Sequence, residues 1–413
     1  MREGWEVKKL GDVCELIKRG ISPKYTEDRD NSLCVINQKC IRNHEVNLSF
    51  SRLHDKNLKA VNPERLISAG DVLINSTGTG TLGRVAQVRE IFSHDCTVDT
   101  HVTIVRPIPN LFYNDFFGYA LIKIEEEITQ SGEGASGQTE LPRNKLENNF
   151  YISYPISLPE QKQIVKTLDL AFKQIDQAKE NMEKNLANAK ELFASKLNEV
   201  FSQRGEGWEE KRLGDSSLLR IVDGDRGKNY PKKVDFLPEG YCVFLNTGNV
   251  RPNGFDFNNI MCITEEKDNL LRKGKLERDD VIMTTRGTIG NLGWYHSDVK
   301  YENIRINSGM LIFRVNKEKI LPEFLFKLFQ SPFMKKQIEE RTTGAAQPQL
   351  PIKTLIDFIL PIHSDLIVQK QMVSKIEELE EFQNKLQTHY QQNLNNLEEL
   401  KKSILEKAFK GEL

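Results

Sequence analysis

Two stretches of the chain carry a narrow stripe of apolar residues at steps of three and four, with Lys, Glu, Gln and Asn between them. The first stripe is Ile164, Leu168, Ile175, Met182, Leu186, Ala189, Phe193 and Leu197. The second is Met372, Ile376, Leu379, Leu386, Tyr390, Leu394, Leu397, Leu400 and Ile404. One stripe kept over roughly six heptads is typical of coiled-coil helices. Since such a stripe cannot stay exposed, we expect the two helices to pack against each other, antiparallel.

The rest of the chain reads as mixed helix and strand. Short β-branched and aromatic runs bounded by Gly, Asn, Asp and Pro predict strands, at 71–74, 102–105, 281–284 and 310–315. Longer stretches with helical spacing predict helices at 113–127 and 323–340. Both regions are therefore expected to be α+β domains.

A long internal repeat organises these elements. Four segments of the first half return in order in the second half: 4–12 as 207–215, 71–79 as 280–288, 134–138 as 344–347 (one residue shorter) and 161–165 as 369–373. The chain is thus two copies of one plan. The fold class we predict is α+β, with two pseudo-symmetric domains (1–155 and 205–362) joined by two long antiparallel coiled-coil helices (156–204 and 363–413). A helix of about 45 residues would span about 67 Å. An oligomerisation zipper is the alternative use of such stripes.

Composition narrows the class of protein. The 58 Lys and Arg against 59 Asp and Glu give a net charge of −1, which argues against a protein coated in basic residues. Any DNA binding must then use local basic patches or phosphate contacts borrowed from a partner. The six cysteines are scattered without a Cys-x-x-Cys pair, which indicates reduced thiols rather than a zinc site. With no apolar run of membrane-span length and no signal-peptide pattern, we expect a cytoplasmic protein.

Three motifs carry a family resemblance. Each domain opens on Gly-Trp-Glu…Leu-Gly-Asp (4–12 and 207–215), Pro-Ile-Ser-Leu-Pro-Glu-Gln-Lys-Gln-Ile (155–164) leads into the first helix, and Phe-Lys-Gly-Glu-Leu (409–413) ends the chain. Together they resemble the specificity subunit of type I restriction–modification systems, over the whole chain. The segment that leads into the second helix, 365–371, departs from the pattern because it lacks the Pro-Glu pair.

The resemblance implies a function. Target-recognition domains 1–155 and 205–362 would each read one half of a split double-stranded DNA site. Spacer helices 156–204 and 363–413 would set the gap and dock two methyltransferase subunits, and two restriction subunits would join that core. The family has no catalytic residues in this subunit, so S-adenosylmethionine, ATP and Mg would belong to the partner subunits.

Motifs of other chemistries are weak or missing. Residues 78–83 match the dinucleotide pattern Gly-x-Gly-x-x-Gly, but that pattern requires a helix next and 84–88 reads as a strand. The second copy, 287–293, breaks the glycine spacing, so we expect a glycine-rich turn beside the DNA. The seven His residues show no metal-like pairing. His101 has Gly309 at the corresponding place, which disfavours a two-fold catalytic role.

Candidate DNA contacts come from four pairs of matching loops rich in the side chains that read base edges. In the first domain they are Arg19, Ser22, Lys24, Tyr25, Asn37, Gln38, Lys39, Ser76, Thr77, Thr79, Arg84 and Gln138. In the second they are Arg226, Lys228, Asn229, Tyr230, Asn246, Thr247, Asn249, Arg251, Thr285, Arg286, Thr288, Gln347 and Gln349. Different side chains on a shared glycine frame are expected of two readers of different half-sites, although any surface loop diverges in this way. For each of these residues, contact with a phosphate is as consistent with the sequence as contact with a base.

Three other functions stay open. The chain could be a non-catalytic scaffold with two binding domains for a protein target, which its neutral charge favours. It could be the recognition subunit of a related restriction enzyme with a fused methyltransferase–nuclease. It could also be a stand-alone enzyme that uses the glycine loop.

Overall fold

The computed structural model describes residues 3–134, 139–202, 205–252, 254–344 and 348–413. The chain divides into two compact units. The first unit is Met1–Met182 together with Gln391–Leu413, and the second is Glu183–Tyr390. Within the described ranges, no helix combines the length and the apolar character needed to cross a bilayer.

In the part of the first unit that the structure describes, the strands form three sheets and a separate two-stranded hairpin. Its strands are β1 (Trp5–Lys9), β2 (Cys14–Arg19), β3 (Tyr25–Thr26), β4 (Ser32–Ile36), β5 (Ile41–Arg42), β6 (Glu45–Val46), β7 (Arg52–Asp55), β8 (Val72–Asn75), β9 (Val85–Gln87), β10 (Cys96–Val98), β11 (Val102–Pro107) and β12 (Tyr151–Pro155). The antiparallel sheet β2-β11-β8-β9 lies beside the sheet β10-β4-β7-β3, where β10 and β4 run parallel, and the pair β1-β12; β5 and β6 form a small hairpin. Its helices are α1 (Asn114–Lys123), α2 (Glu125–Gln130), α3 (Arg143–Asn149) and the first part of α4 (Leu158–Phe201).

The second unit repeats this order. Its strands are β13 (Trp208–Arg212), β14 (Leu219–Asp223), β15 (Cys242–Leu245), β16 (Val250–Arg251), β17 (Gly254–Phe255), β18 (Cys262–Ile263), β19 (Val281–Thr284), β20 (Leu292–Trp294), β21 (Ile304–Ile306), β22 (Met310–Val315) and β23 (Ile359–His363). The sheet β14-β22-β19-β20 matches β2-β11-β8-β9, and β13-β23 matches β1-β12. Its helices are α5 (Glu265–Leu270), α6 (Pro322–Gln330), α7 (Pro332–Arg341), α8 (Ile352–Leu355) and most of α9 (Leu366–Lys410).

The predicted α+β class, the repeat and the two long helices are confirmed. The predicted strand at 310–315 is β22, and the other three predicted strands are β8, β11 and β19. Both predicted shorter helices are interrupted. The break between α6 and α7 has a local cause: Pro332 has no N–H to continue the first helix, and the side chain of Ser331 caps the second by accepting from the N–H of Met334.

The long helices pack antiparallel within the first unit. Lys401 of α9 forms an ion pair with Asp176 of α4 at 3.0 Å, and Glu398 of α9 forms one with Lys179 of α4. Residue numbers therefore increase along α4 as they decrease along α9, which is the antiparallel arrangement. Phe409 near the end of α9 packs on Phe116 of α1, with ring centroids 5.0 Å apart. Ile164, Leu168 and Ile175 of the first stripe lie in the same buried cluster, so this stripe enters the core of the unit instead of contacting only the other helix.

The long helices also enter the core of the second unit. Residues near the C-terminal end of α4 join residues of the first turns of α9 in one buried cluster: Leu197, Val200, Phe201, Met372, Val373 and Ile376. Phe201 meets Phe324 of α6 edge-on, with centroids 5.5 Å apart. Each domain is thereby built on both long helices.

A buried ion pair fixes the central strands of each main sheet. The guanidinium of Arg106 on β11 donates two hydrogen bonds of 2.7 Å to the carboxylate of Asp71, which directly precedes β8. Arg314 on β22 holds Asp280, before β19, through bonds of 2.9 and 2.7 Å. Bidentate pairs of this kind set geometry as well as energy. They hold the start of the strand whose far end carries the candidate loop.

Candidate nucleic-acid interface

Two of the predicted loops meet in the first unit. The side-chain amide of Gln38 donates to the carbonyl of Thr77 at 2.9 Å and to its hydroxyl at 2.6 Å. Asn75, the last residue of β8, donates to the carbonyl of Gln38 at 3.3 Å. The loop that follows β4 and the loop that follows β8 therefore form one surface.

A third loop joins them through Glu140. Thr77 and Glu140 form an antiparallel bridge, and Arg19 at the end of β2 pairs with the Glu140 carboxylate at 2.7 Å. Arg19 also donates to the carbonyl of Leu141 at 2.9 Å. The sequence reasoning missed Glu140, since an acidic side chain is not an expected DNA contact. Its neighbour Gln138 lies outside the described residues.

The glycine-rich segment is a turn, as predicted. Gly78, Gly80 and Gly83 have φ values of +103°, +75° and +86°, which side chains adopt only with strain. A Cβ on Gly83 would also lie 2.2 Å from the Thr129 hydroxyl oxygen. The strand β9 follows, so the segment lacks the helix that a dinucleotide site requires. Arg84 closes the turn by donating to the carbonyl of Gly80 at 3.0 Å.

Asn37 and Asn246 use their amides to build matching loops. The side-chain oxygen of Asn37 caps a short 3-10 helix by accepting from the backbone N–H of Lys39. Its side-chain nitrogen donates to the backbone carbonyl of Phe50 at 2.7 Å. Asn246 caps the equivalent helix by accepting from the N–H of Gly248 at 2.7 Å. These bonds leave Lys39 exposed at the tip of its loop.

The remaining candidates of the first unit lie at its β3–β7 edge or at the turn. Ser22, Lys24, Tyr25 and Thr79 are exposed. The Tyr25 ring lies 4.8 Å under the guanidinium of Arg52. The structure therefore places exposed cationic and aromatic groups there, and their contact with DNA stays a prediction.

The second unit repeats the bridge with different side chains. Arg286 and Gln349 form an antiparallel backbone bridge that corresponds to the bridge between Thr77 and Glu140. Gln349 forms a second backbone bridge with Thr343. Arg286 is exposed. Among the residues that the structure describes, no hydrogen bond or ion pair engages its guanidinium. Gln347, two residues from Gln349, lies outside the described ranges.

Other second-unit candidates are held by local contacts. Arg226 pairs with Asp223 at 3.2 Å and Arg251 with Asp256 at 3.5 Å. The amide of Asn229 donates to a backbone carbonyl at 3.1 Å. The remaining candidates of this group are Tyr230, which packs edge-on against Phe244, and Lys228, Thr247 and Thr288, which are exposed or half-buried.

The loop that carries Arg226 is anchored by a buried carboxylate. Burial of Asp225 acts to raise its pKa, but the backbone N–H groups of Gly227 (2.6 Å) and Arg272 (2.8 Å) outweigh burial and hold that pKa below its ordinary value. Hydrogen bonds to a carboxylate favour its charged form. Asp225 therefore stays ionised and fixes the loop.

Three candidates need correction. Ser76, Asn249 and Thr285 are buried, at 0%, 4% and 6% exposure. Each is bonded inside the fold: Ser76 to Thr103, Asn249 to the carbonyls of Asp256 and Asn259, and Thr285 to the carbonyl of Gly309. To contact DNA, these buried side chains would have to break their internal hydrogen bonds, which is energetically unfavourable. We therefore assign them to the framework rather than to DNA contact.

Within the described ranges, no group of three or more His, Cys, Asp or Glu side chains could hold a metal ion. All six cysteines are free thiols. Burial raises the pKa of Cys40 to about 11 and that of Cys242 to about 12. Cys40 and Cys242 are therefore protonated core residues.

Comparison with known proteins agrees with this architecture. The family model described as "Type I restriction modification DNA specificity domain" matches residues 2–186 and again 205–396. The chain is 23% identical to the type I restriction enzyme EcoBI specificity subunit of Escherichia coli, over 84% of this chain and 80% of that protein. It is 24% identical to the MjaVIII specificity subunit of Methanocaldococcus jannaschii, over 99% of this chain and 91% of that protein.

Solved structures share the fold. A chain of a type I R-M system, from work on its complex assembly and conformational transition, superposes with a TM-score of 0.77 at 18% identity, over 100% of this chain and 99% of that chain. The HsdS subunit from Thermoanaerobacter tengcongensis superposes with a TM-score of 0.59 at 18% identity, over 100% and 98%. With both halves matched by one family model, the chain belongs to the type I restriction modification DNA specificity domain family.

Proposed function

We propose that this chain is the specificity subunit of a type I restriction–modification complex and that each domain reads one half of a bipartite DNA site. The observation that carries the proposal is the repeated bridge after the central strand. Thr77 and Glu140 in one copy stand where Arg286 and Gln349 stand in the other. One framework that presents different polar side chains suits two different half-sites.

The long helices would set the gap between the half-sites and dock two methyltransferase subunits. The pseudo-two-fold repeat supports this, because two copies of one partner need two equivalent surfaces. Two restriction subunits would then join the core. A net charge of −1 suits a complex in which the partners bind most of the phosphates.

The chain itself would be non-catalytic and cytoplasmic. S-adenosylmethionine, ATP and Mg would belong to the partner subunits. The methyltransferase would flip its target adenine out of the duplex. This chain would position the methyltransferase on the recognition sequence. The glycine turn, followed by a strand, supports this view over a stand-alone nucleotide enzyme.

The test is co-expression with the methyltransferase subunit of the same host, followed by mapping of methylated bases in the host DNA. We expect one split motif with adenine methylated on both strands. A stable complex without any motif would favour the protein scaffold. Failure to form a complex would contradict the proposal.

A further inference from the structure

His101 occupies the place in the first unit that Gly309 occupies in the second. The carbonyl of His101 accepts the N–H of Ser76 at 2.8 Å, and the carbonyl of Gly309 accepts the N–H of Thr285 at 2.8 Å. Both residues therefore lie beside the first residue after the central strand. The candidate surface of the first unit thus includes an exposed imidazole that the second unit lacks.

The imidazole is oriented by a hydrogen-bond relay. Gln38 donates its amide to the carbonyl of Thr77, which identifies that end of the amide as nitrogen. The same nitrogen donates to the Thr77 hydroxyl at 2.6 Å. The hydroxyl in turn lies 2.8 Å from Nδ1 of His101. While its oxygen accepts from Gln38, the hydroxyl keeps its own proton to donate; when it donates to Nδ1, the imidazole carries its proton on Nε2.

The backbone of His101 is held as well. Its N–H donates to the carboxylate of Asp99 at 2.9 Å, and Asp99 is buried, with 5% exposure. A ring fixed at both its backbone and its Nδ1 presents the Nε2–H without further ordering, which is what a recognition group requires. Hydrogen-bond acceptors on base edges in the major groove include guanine O6 and N7, adenine N7 and thymine O4.

We propose that His101 is a specificity-determining residue that donates its Nε2–H to a base acceptor in one half-site. The inference rests on the proposed DNA-reading function and adds a residue to it. No second-unit equivalent exists, because position 309 is glycine. Its effect is therefore confined to one half of the motif.

In the second unit the large hydrogen-bond donor is Arg286, at the position next to Gly309. A Cβ on Gly309 would lie 3.8 Å from the Cβ of Arg286 and 2.9 Å from the methyl of Thr247. The glycine therefore makes room for Thr247 and lies at ordinary contact distance from Arg286, while the first unit combines the small Thr77 with His101. At these adjacent positions the first unit thus presents an imidazole and the second unit a guanidinium.

The test maps methylation motifs for the chain co-expressed with its methyltransferase subunit. His101→Ala and His101→Asn remove the distal donor, whereas His101→Gln keeps an N–H near the position of Nε2. His94→Ala is the matched control, since His94 is an exposed histidine of the same unit outside the candidate loops. Arg286→Ala marks the half-site read by the second unit.

We expect His101→Ala and His101→Asn to relax one base of one half-site, with discrimination at that base falling about fivefold, the worth of one hydrogen bond. His101→Gln and His94→Ala should retain the wild-type motif. Arg286→Ala should relax the opposite half. These results would separate the roles of the two units.

Two results would overturn the inference while leaving the proposed function intact: an unchanged motif in every His101 variant, or a uniform loss of methylation at all sites without a change of base, which is the signature of a phosphate contact. A wild-type chain that directs no split motif would instead overturn the proposed function, and the inference with it.

Discussion

Gln161 and Gln369 make the same three hydrogen bonds in the two halves of the chain, each in the first turn of a long helix. Both side chains are fully buried. Gln161 accepts from the N–H of Tyr113 at 2.7 Å and donates to the carbonyls of Leu111 and Pro155 at 3.2 and 2.8 Å. Gln369 accepts from the N–H of Leu321 at 2.9 Å and donates to the carbonyls of Lys319 and His363 at 3.0 and 2.8 Å. Each amide therefore ties a helix to its domain.

We expect Gln161→Leu and Gln369→Leu each to destabilise its own unit by about 3 kcal/mol or more, because three buried backbone groups lose their partners at about 1–3 kcal/mol each. Urea denaturation monitored separately for each unit by hydrogen exchange would measure this. Gln163→Leu and Gln371→Leu, at exposed positions two residues further along each helix, are the controls. Equal stability of the buried and exposed variants would contradict the assigned role.

The end of α9 should stabilise the first unit through one aromatic side chain. Phe409 is 6% exposed and packs on Phe116, so Phe409→Ala should cost about 3–5 kcal/mol of unfolding free energy. Phe382 on the same helix is 65% exposed, and Phe382→Ala should stay within about 0.5 kcal/mol of wild type. Chemical denaturation measures both, and similar losses for the two variants would refute the packing argument.

A buried ion-pair cluster should make the second unit sensitive to acid. Burial acts to raise the pKa of Asp268, but its pairs with Lys275 and Arg305 outweigh burial and hold that pKa below its ordinary value. A lowered carboxyl pKa gives stability that is present above the unfolded-state pKa, about 3.9, and is lost as the pH falls through the folded-state pKa.

Asp268→Asn should therefore cost about 3–5 kcal/mol at neutral pH, since it leaves two cations beside an uncharged amide. The difference from wild type should shrink as the pH falls below about 4. Urea denaturation at a series of pH values measures it. A gap that keeps its size down to strongly acidic pH would show that the carboxylate charge is not the cause.

Arg286→Ala should weaken binding of the assembled methyltransferase complex to a duplex carrying its motif by about tenfold, equivalent to about 1.4 kcal/mol. Arg220→Ala, at an exposed position of β14, should change affinity by less than about twofold because it lies outside the candidate loops. Fluorescence anisotropy at fixed salt reports both. Unchanged affinity and unchanged specificity would remove Arg286 from the interface.

The repeat explains how much of the fold could be predicted from the sequence. Matching segments predicted two α+β domains, and the apolar stripes predicted both long helices. The stripes did not reveal that the helix ends enter the domain cores, because Phe409 and Leu197 look the same in sequence whether they meet a helix or a domain. Periodicity gives the buried face of a helix and leaves its partner undetermined.

The candidate surface was harder to predict, because residue type alone does not distinguish framework from surface. Asn249 has the side chain of a base reader, yet its amide bonds two carbonyls inside a buried loop. His101 has no counterpart in the second copy, where position 309 is glycine, and this disfavours only a two-fold catalytic role. In a recognition domain that difference is informative, because two half-sites need different contacts.

The central claim is that two domains on long helices read two half-sites at a set distance. Its most direct test is to lengthen both helices. Inserting one heptad near the middle of α4 and of α9 adds about 10.5 Å to each at 1.5 Å per residue, or about three base pairs at 3.4 Å each. Methylation mapping should then find both half-site sequences unchanged and the gap longer by about three base pairs. A motif with altered half-sites, or with its original gap, would contradict the account.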